Sequence, residues 1–109
     1  MGVKETRDEL VEKMNNDPSH LGSLDAVFAF ELSGDDGANF QLKIADDAAE
    51  VVDQGQNEPT ITLGMSDKNF IKLAKSSLNP TMAYMSGKLK VKGDLTLALK
   101  LNSIIQKYN

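Results

Sequence analysis

The 109-residue chain is long enough for one domain, 1–109, and a domain of this size buries about two thirds of its unfolded surface on folding. With 40% hydrophobic and 26% charged residues and no cysteine, it reads as an ordinary globular chain that excludes a disulfide framework, a thiol nucleophile and a zinc–thiolate site. The formal charge of −4 argues against nucleic acid as a partner, no apolar run approaches the roughly eighteen residues of a membrane span, and the N-terminal MGVKETRDELVEK is too charged for a secretory signal.

Thr6 and Glu9 have the T-x-x-E spacing of a capping box, and Leu10, Val11 and Met14 follow at helical spacing, so a helix is predicted from Thr6 to Asn15. Asn15 to Ser23 is a turn-rich connection with a short helical turn after Pro18. It contains the only histidine, His20, which lacks the partners of a triad or a metal cluster and is expected at the surface. From Ala26 a strand places Ala26, Phe28, Phe30 and Leu32 on one face and Val27, Ala29 and Glu31 on the other. Ser33 to Asn39 is a hairpin loop, after which Phe40, Leu42 and Ile44 point inward while Gln41 and Lys43 point out. Asp46 and Asp47 turn the chain into a weaker strand, Ala49 to Gln54. Asp35, Asp36, Asp46 and Asp47 lack calcium-loop spacing and are explained by turn chemistry.

A fourth strand, TITL, turns Ile61 and Leu63 inward; Met65 is expected at the strand-to-helix turn, and Ser66 caps a helix containing Phe70, Ile71, Leu73 and Ala74. Asn79 followed by Pro80 opens a short helix with Met82 and Met85 on one side, closed by Gly87. Strict alternation from Lys88 to Lys92 sets Leu89 and Val91 against Lys88, Lys90 and Lys92, and Asp94 caps a terminal helix. That helix carries two apolar stripes: Leu97, Ala98, Leu101, Ile104 and Ile105 form one, Leu95 and Leu99 the other. A helix resting on one core needs only one, so the second must be covered by another helix or a bound lipid. Strands with one polar face, alternating with amphipathic helices, define an α+β domain with its helices on one side of a sheet.

The stretch NPTMAYMSGKLKVKG followed by LALKL closely resembles the most recognisable feature of the sterol carrier protein 2 (SCP2) domain family. Weaker similarity runs through VFAFEL and ITLGMSDKNF, so the resemblance covers roughly Leu24 to Ile105. It implies a mixed five-stranded sheet with helices packed on one face, enclosing an apolar tunnel. The function it implies is non-enzymatic binding and transfer of lipid, whether fatty acid, fatty acyl-coenzyme A, sterol or phospholipid, with no cofactor and no metal. The expected lining residues are apolar and lie on inward faces or the second stripe. They are Phe28, Phe30, Leu42 and Ile61 from the strands, Phe70, Leu73, Met82 and Met85 from the middle helices, and Leu89, Leu95, Leu99 and Ile105 beyond them.

Charge is distributed unevenly. Residues 1–66 carry four basic and fourteen acidic side chains and residues 67–109 eight and two, so the halves stand at −10 and +6. Lys88, Lys90 and Lys92 are accordingly candidates for contact with anionic membranes or the phosphates of an acyl-coenzyme A. The chain ends Lys107-Tyr108-Asn109 rather than in an S-K-L-type peroxisomal address, which favours a cytoplasmic protein. The competing expectation is a well-packed interaction module without a cavity, docking onto a lipid-metabolising enzyme.

Overall fold

A computed structural model describes residues 2–109. It contains four helices, α1 (Val3–Asn16), α2 (Asp67–Ala74), α3 (Pro80–Met85) and α4 (Leu95–Gln106), and a 3-10 turn at Pro18–His20. Five strands, β1 (Ala26–Ser33), β2 (Asn39–Ala45), β3 (Ala48–Asp53), β4 (Ile61–Ser66) and β5 (Lys90–Lys92), form one sheet in the order β3-β2-β1-β4-β5. The central β1–β4 pair is parallel and the others are antiparallel, which makes the sheet mixed, as predicted.

Alternation along the strands sets the two faces. Phe28, Phe30, Phe40, Leu42, Ile44, Ile61 and Leu63 are buried on the inner face, with Leu89 buried at the approach to β5 and Val91 half-buried. Lys88, Lys90 and Lys92 are exposed, as their register requires. Lys43 is only half-buried rather than fully exposed, and Gln41, expected to point into solvent, is 2% exposed. The reason is the 54–60 segment, which connects β3 to β4 and covers Gln41: its Nε2 donates to Asn57 O (2.9 Å) and its Oε1 accepts from Asn57 N (3.1 Å).

Several boundaries shift for identifiable reasons. Helix α1 begins at Val3 because Glu5 Oε2 accepts from Gly2 N (3.1 Å) and Asp36 Oδ2 from Val3 N (2.7 Å). Thr6 is therefore no cap; it lies in the buried stripe Val3, Thr6, Leu10 and Met14, with its Oγ1 unpartnered. Asp46 and Asp47 adopt φ values of 54° and 59° in a two-residue hairpin turn, so pairing starts at Ala45↔Ala48 and β3 runs from Ala48. Strand β4 continues past Leu63 through Ser66, which places Met65 within the strand and 5% exposed. Lys88 and Leu89 lie outside β5 because both amides donate to Ala83 O, at 2.8 and 3.0 Å.

The three helix caps follow from the residue types. Ser66 Oγ accepts from Asn69 N (3.1 Å), Asn79 Oδ1 from Met82 N (3.1 Å) and Asp94 Oδ1 from Thr96 N (2.9 Å). His20 is partly exposed and packs edge-on against Tyr108, whose hydroxyl donates to Asp17 O (2.6 Å). Among the described residues no helix is long and apolar enough to cross a membrane.

Candidate lipid-binding site

Three helices and the inner sheet face converge on an apolar pocket. Leu10 and Val11 of α1, Phe30, Phe40 and Leu42 of β1 and β2, Phe70, Leu73 and Ala74 of α2, and Ile105 of α4 form its walls. Their placement follows from pattern: strand residues two apart share the inward face, and Phe70, Leu73 and Ala74 share one side of α2 by their three- and four-residue spacing. Three aromatic rings make the firmest wall. Phe30 and Phe40 stack at 5.2 Å between centroids, and Phe70 meets them edge-on at 5.3 and 5.6 Å. Arg7 completes the lining with its guanidinium over the Phe40 ring, 5.0 Å from the centroid, while its Nε donates to Asp8 Oδ1 (3.1 Å).

Space within these walls is small, about 10 Å³. A site that holds a small molecule measures roughly 300–1,000 Å³, so side chains now fill the volume a lipid would need. Apart from Arg7 the lining is apolar, and it holds no pair of groups that could act as acid and base. Such a lining offers contact to hydrocarbon and none to a charged group beyond Arg7.

Five of the twelve residues expected from the sequence meet here: Phe30, Leu42, Phe70, Leu73 and Ile105. Phe28, Ile61 and Leu89 are buried in the same continuous core away from these walls. Leu95 and Leu99 are half-buried, and Leu99 lines a separate, open groove between the 76–81 segment and α4. The second stripe is thus only partly covered. Met82 and Met85, expected to face inward, are instead 67% and 80% exposed, because α3 packs against α4 through its buried Pro80 and Ala83 and turns both methionines outward. Arg7, Leu10, Val11, Phe40 and Ala74 belong to the walls but were absent from the expected lining. Phe40 carried a signal, since alternation already placed it inward, and Leu10, Val11 and Ala74 carried a weaker one as apolar residues of expected helices. Arg7 carried none, because an arginine stacked over a ring reads as a solvated helix residue.

A five-stranded mixed sheet with three helices closing an apolar interior on one face defines an α+β domain with its helices on one side of the sheet. The chain matches the SCP-2 sterol transfer family over residues 8–106 and belongs to it. Hydroxysteroid dehydrogenase-like protein 2 of Bos taurus is 40% identical over 88 residues, which are 77% of this chain and 20% of that protein. The chain therefore spans about a fifth of the length of that relative. Sterol carrier protein domain 2 of Helicoverpa armigera superposes with a TM-score of 0.72 at 28% identity, covering 96% of this chain and 85% of that one. Sterol carrier protein-2 of Aedes aegypti, solved in complex with palmitate, shares the fold with a TM-score of 0.68 at 19% identity, covering 92% of this chain and 94% of that one.

Proposed function

We propose that this domain binds a lipid between the sheet and helices α1, α2 and α4 and transfers it without chemical change. The observation that carries the proposal is the apolar lining of that interior in a chain of the SCP-2 sterol transfer family. The palmitate held by the Aedes aegypti protein of the same fold supports a fatty acid as ligand class. Fatty acyl-coenzyme A, sterol and phospholipid present a similar apolar body. At about 0.8 kcal/mol per buried CH₂, a sixteen-carbon chain gains on the order of 10 kcal/mol, enough for micromolar to submicromolar binding after association costs. No polar site is required for that affinity. Lys88, Lys90 and Lys92 would bring the domain to the anionic membranes or acyl-coenzyme A phosphates that supply the lipid.

The residual volume of about 10 Å³ favours a second reading, a packed interaction module that docks onto a lipid-metabolising enzyme. Native mass spectrometry of the purified protein, with organic extraction and a fluorescent fatty-acid titration, separates the two. Co-purified lipid or saturable uptake supports the carrier. A protein that carries no lipid and takes up none supports the module.

A further inference from the structure

We infer that the groove over the outer face of β4 and β5, with the exposed methionines of α3 beside it, is a docking surface for an anionic phospholipid bilayer, the groove receiving a headgroup phosphate. The groove has a volume of about 530 Å³ and lies across the sheet from the apolar interior. Lys88, Lys90 and Lys92 line it, together with the hydroxyl-bearing Ser33, Thr62 and Ser66. Its floor is clear because Gly64 stands between Glu31 of β1 and Lys90 of β5. A Cβ at Gly64 would meet nothing closer than 3.6 Å, so the fold does not demand glycine there, yet a larger side chain would fill the groove. Glu31 is the one carboxylate in the lining, which leaves an excess of two positive charges in a chain whose formal charge is −4. Among the described residues no carboxylate lies within 4.0 Å of the three lysine ammonium groups.

Apolar surface adjoins this charge. The exposed large hydrophobic residues among those described, Met82, Tyr84 and Met85, all lie on α3. Lys88 N donates to Ala83 O (2.8 Å), which ties the first lysine to the helix that carries the methionines. Apolar side chains that enter the acyl boundary, flanked by lysines that meet headgroup phosphates, are the two attractions by which a protein rests on an anionic bilayer. Helix α1 offers neither: it has no exposed large hydrophobic residue, and Glu5, Asp8, Glu9 and Glu12 outnumber Lys4, Arg7 and Lys13. Charge complementarity therefore selects the α3–β5 side.

The docking surface serves the carrier function proposed above and rests on it for its purpose, but its binding is measured without cargo. The test is co-sedimentation with vesicles of phosphatidylcholine mixed with phosphatidylserine and with vesicles of phosphatidylcholine alone. Wild type is expected to sediment with the anionic vesicles only. Removing all three lysines (Lys88→Ser, Lys90→Ser, Lys92→Ser) should weaken partitioning roughly fivefold each, about a hundredfold together. Met82→Ser with Met85→Ser should weaken it about tenfold, and Gly64→Glu should also weaken it with every lysine in place. Lys4→Ser with Lys13→Ser on α1 should leave it unchanged. Wild-type indifference to phosphatidylserine, wild-type partitioning by the lysine and methionine variants, or a larger loss in the α1 variant would each overturn the inference. Fluorescent fatty-acid titration without vesicles reports separately on the carrier, so a protein that docks but takes up no lipid refutes the carrier alone.

Discussion

The carboxylate of Asp67 accepts the backbone N–H of Asp36 at 3.0 Å, and the carboxylate of Asp36 in turn accepts the N–H of Val3 at 2.7 Å. Two acids in series thus fasten the start of α2 to the β1–β2 loop and that loop to the start of α1. These helices form two walls of the apolar interior, so a polar relay at one end of the domain helps to hold those walls together. Hydrogen bonds from Asp36 N, and then from Lys68 N (2.8 Å), hold the Asp67 carboxyl below its ordinary pKa against the opposing effect of burial.

A depressed carboxylate stabilises the fold above its unfolded pKa, about 3.9, and that stabilisation is lost as pH falls through the lower folded value. Asp67→Asn replaces an acceptor with a donor facing a backbone N–H, so it should lower the urea midpoint at pH 7. The gap from wild type should narrow as pH falls below about 4. Urea titrations at pH values on either side of that window check this, and a gap independent of pH would show that the charge of Asp67 does not matter.

Gly34 sits against the same carboxylate at φ +104°, where an added Cβ would collide with Asp67. Gly34→Ala should cost about 1–3 kcal/mol, from backbone strain and displacement of the carboxylate together. In the Asp67→Ala background the collision disappears while the strain stays, so the cost there should be smaller. Equal costs in the two backgrounds would leave strain as the whole effect.

Most of the fold was legible in the residues because period, caps and turns agreed. Ser66, Asn79 and Asp94 cap the helices they were expected to cap, and the strand registers place Phe28, Leu42 and Ile61 inward. What was not legible depended on distant chain. Thr6 looked like a cap until Asp36, thirty residues on, supplied the cap for Val3. Met82 and Met85 show the deeper limit: three-residue spacing shows that they share a side, but only the packing of α3 on α4 decides which way that side faces.

Gln41 illustrates the same limit, since alternation puts it on the polar face but only the 54–60 segment buries it. Gln41→Ala leaves Asn57 N and Asn57 O without their partners. The change should cost about 1–3 kcal/mol in urea unfolding. Hydrogen exchange should quicken in the 54–60 segment, and exchange unchanged there would mean that other contacts hold it.

Because Met85 is 80% exposed, Met85→Trp neither fills an enclosed space nor overpacks a core. Its unfolding free energy should stay within about 0.5 kcal/mol of wild type, and vesicle-free fatty-acid affinity should change less than threefold, equivalent to about 0.65 kcal/mol. Fatty-acid titration and urea unfolding of one preparation measure both. A tenfold loss of affinity would mean that α3 turns Met85 inward in the lipid-bound form.

The last expectation concerns how a lipid reaches an interior with about 10 Å³ of free space. Ligand sites measure roughly 300–1,000 Å³, so α1, α2 or α4 must move from the sheet before an acyl chain can be buried. The binding-competent form is then a minor conformer, and apparent affinity is reduced by its population. Stopped-flow uptake of a fluorescent fatty acid, below its micelle threshold, should reach a rate plateau set by opening rather than rise linearly with concentration. Leu73→Ala removes side-chain volume from the α2 wall; it should cost about 2–5 kcal/mol of stability in the lipid-free protein and raise the plateau. Saturating lipid, at about a hundred times its dissociation constant, should return roughly 2.7 kcal/mol to either protein. Linear uptake approaching diffusion-limited rates would mean that the interior is already open in solution.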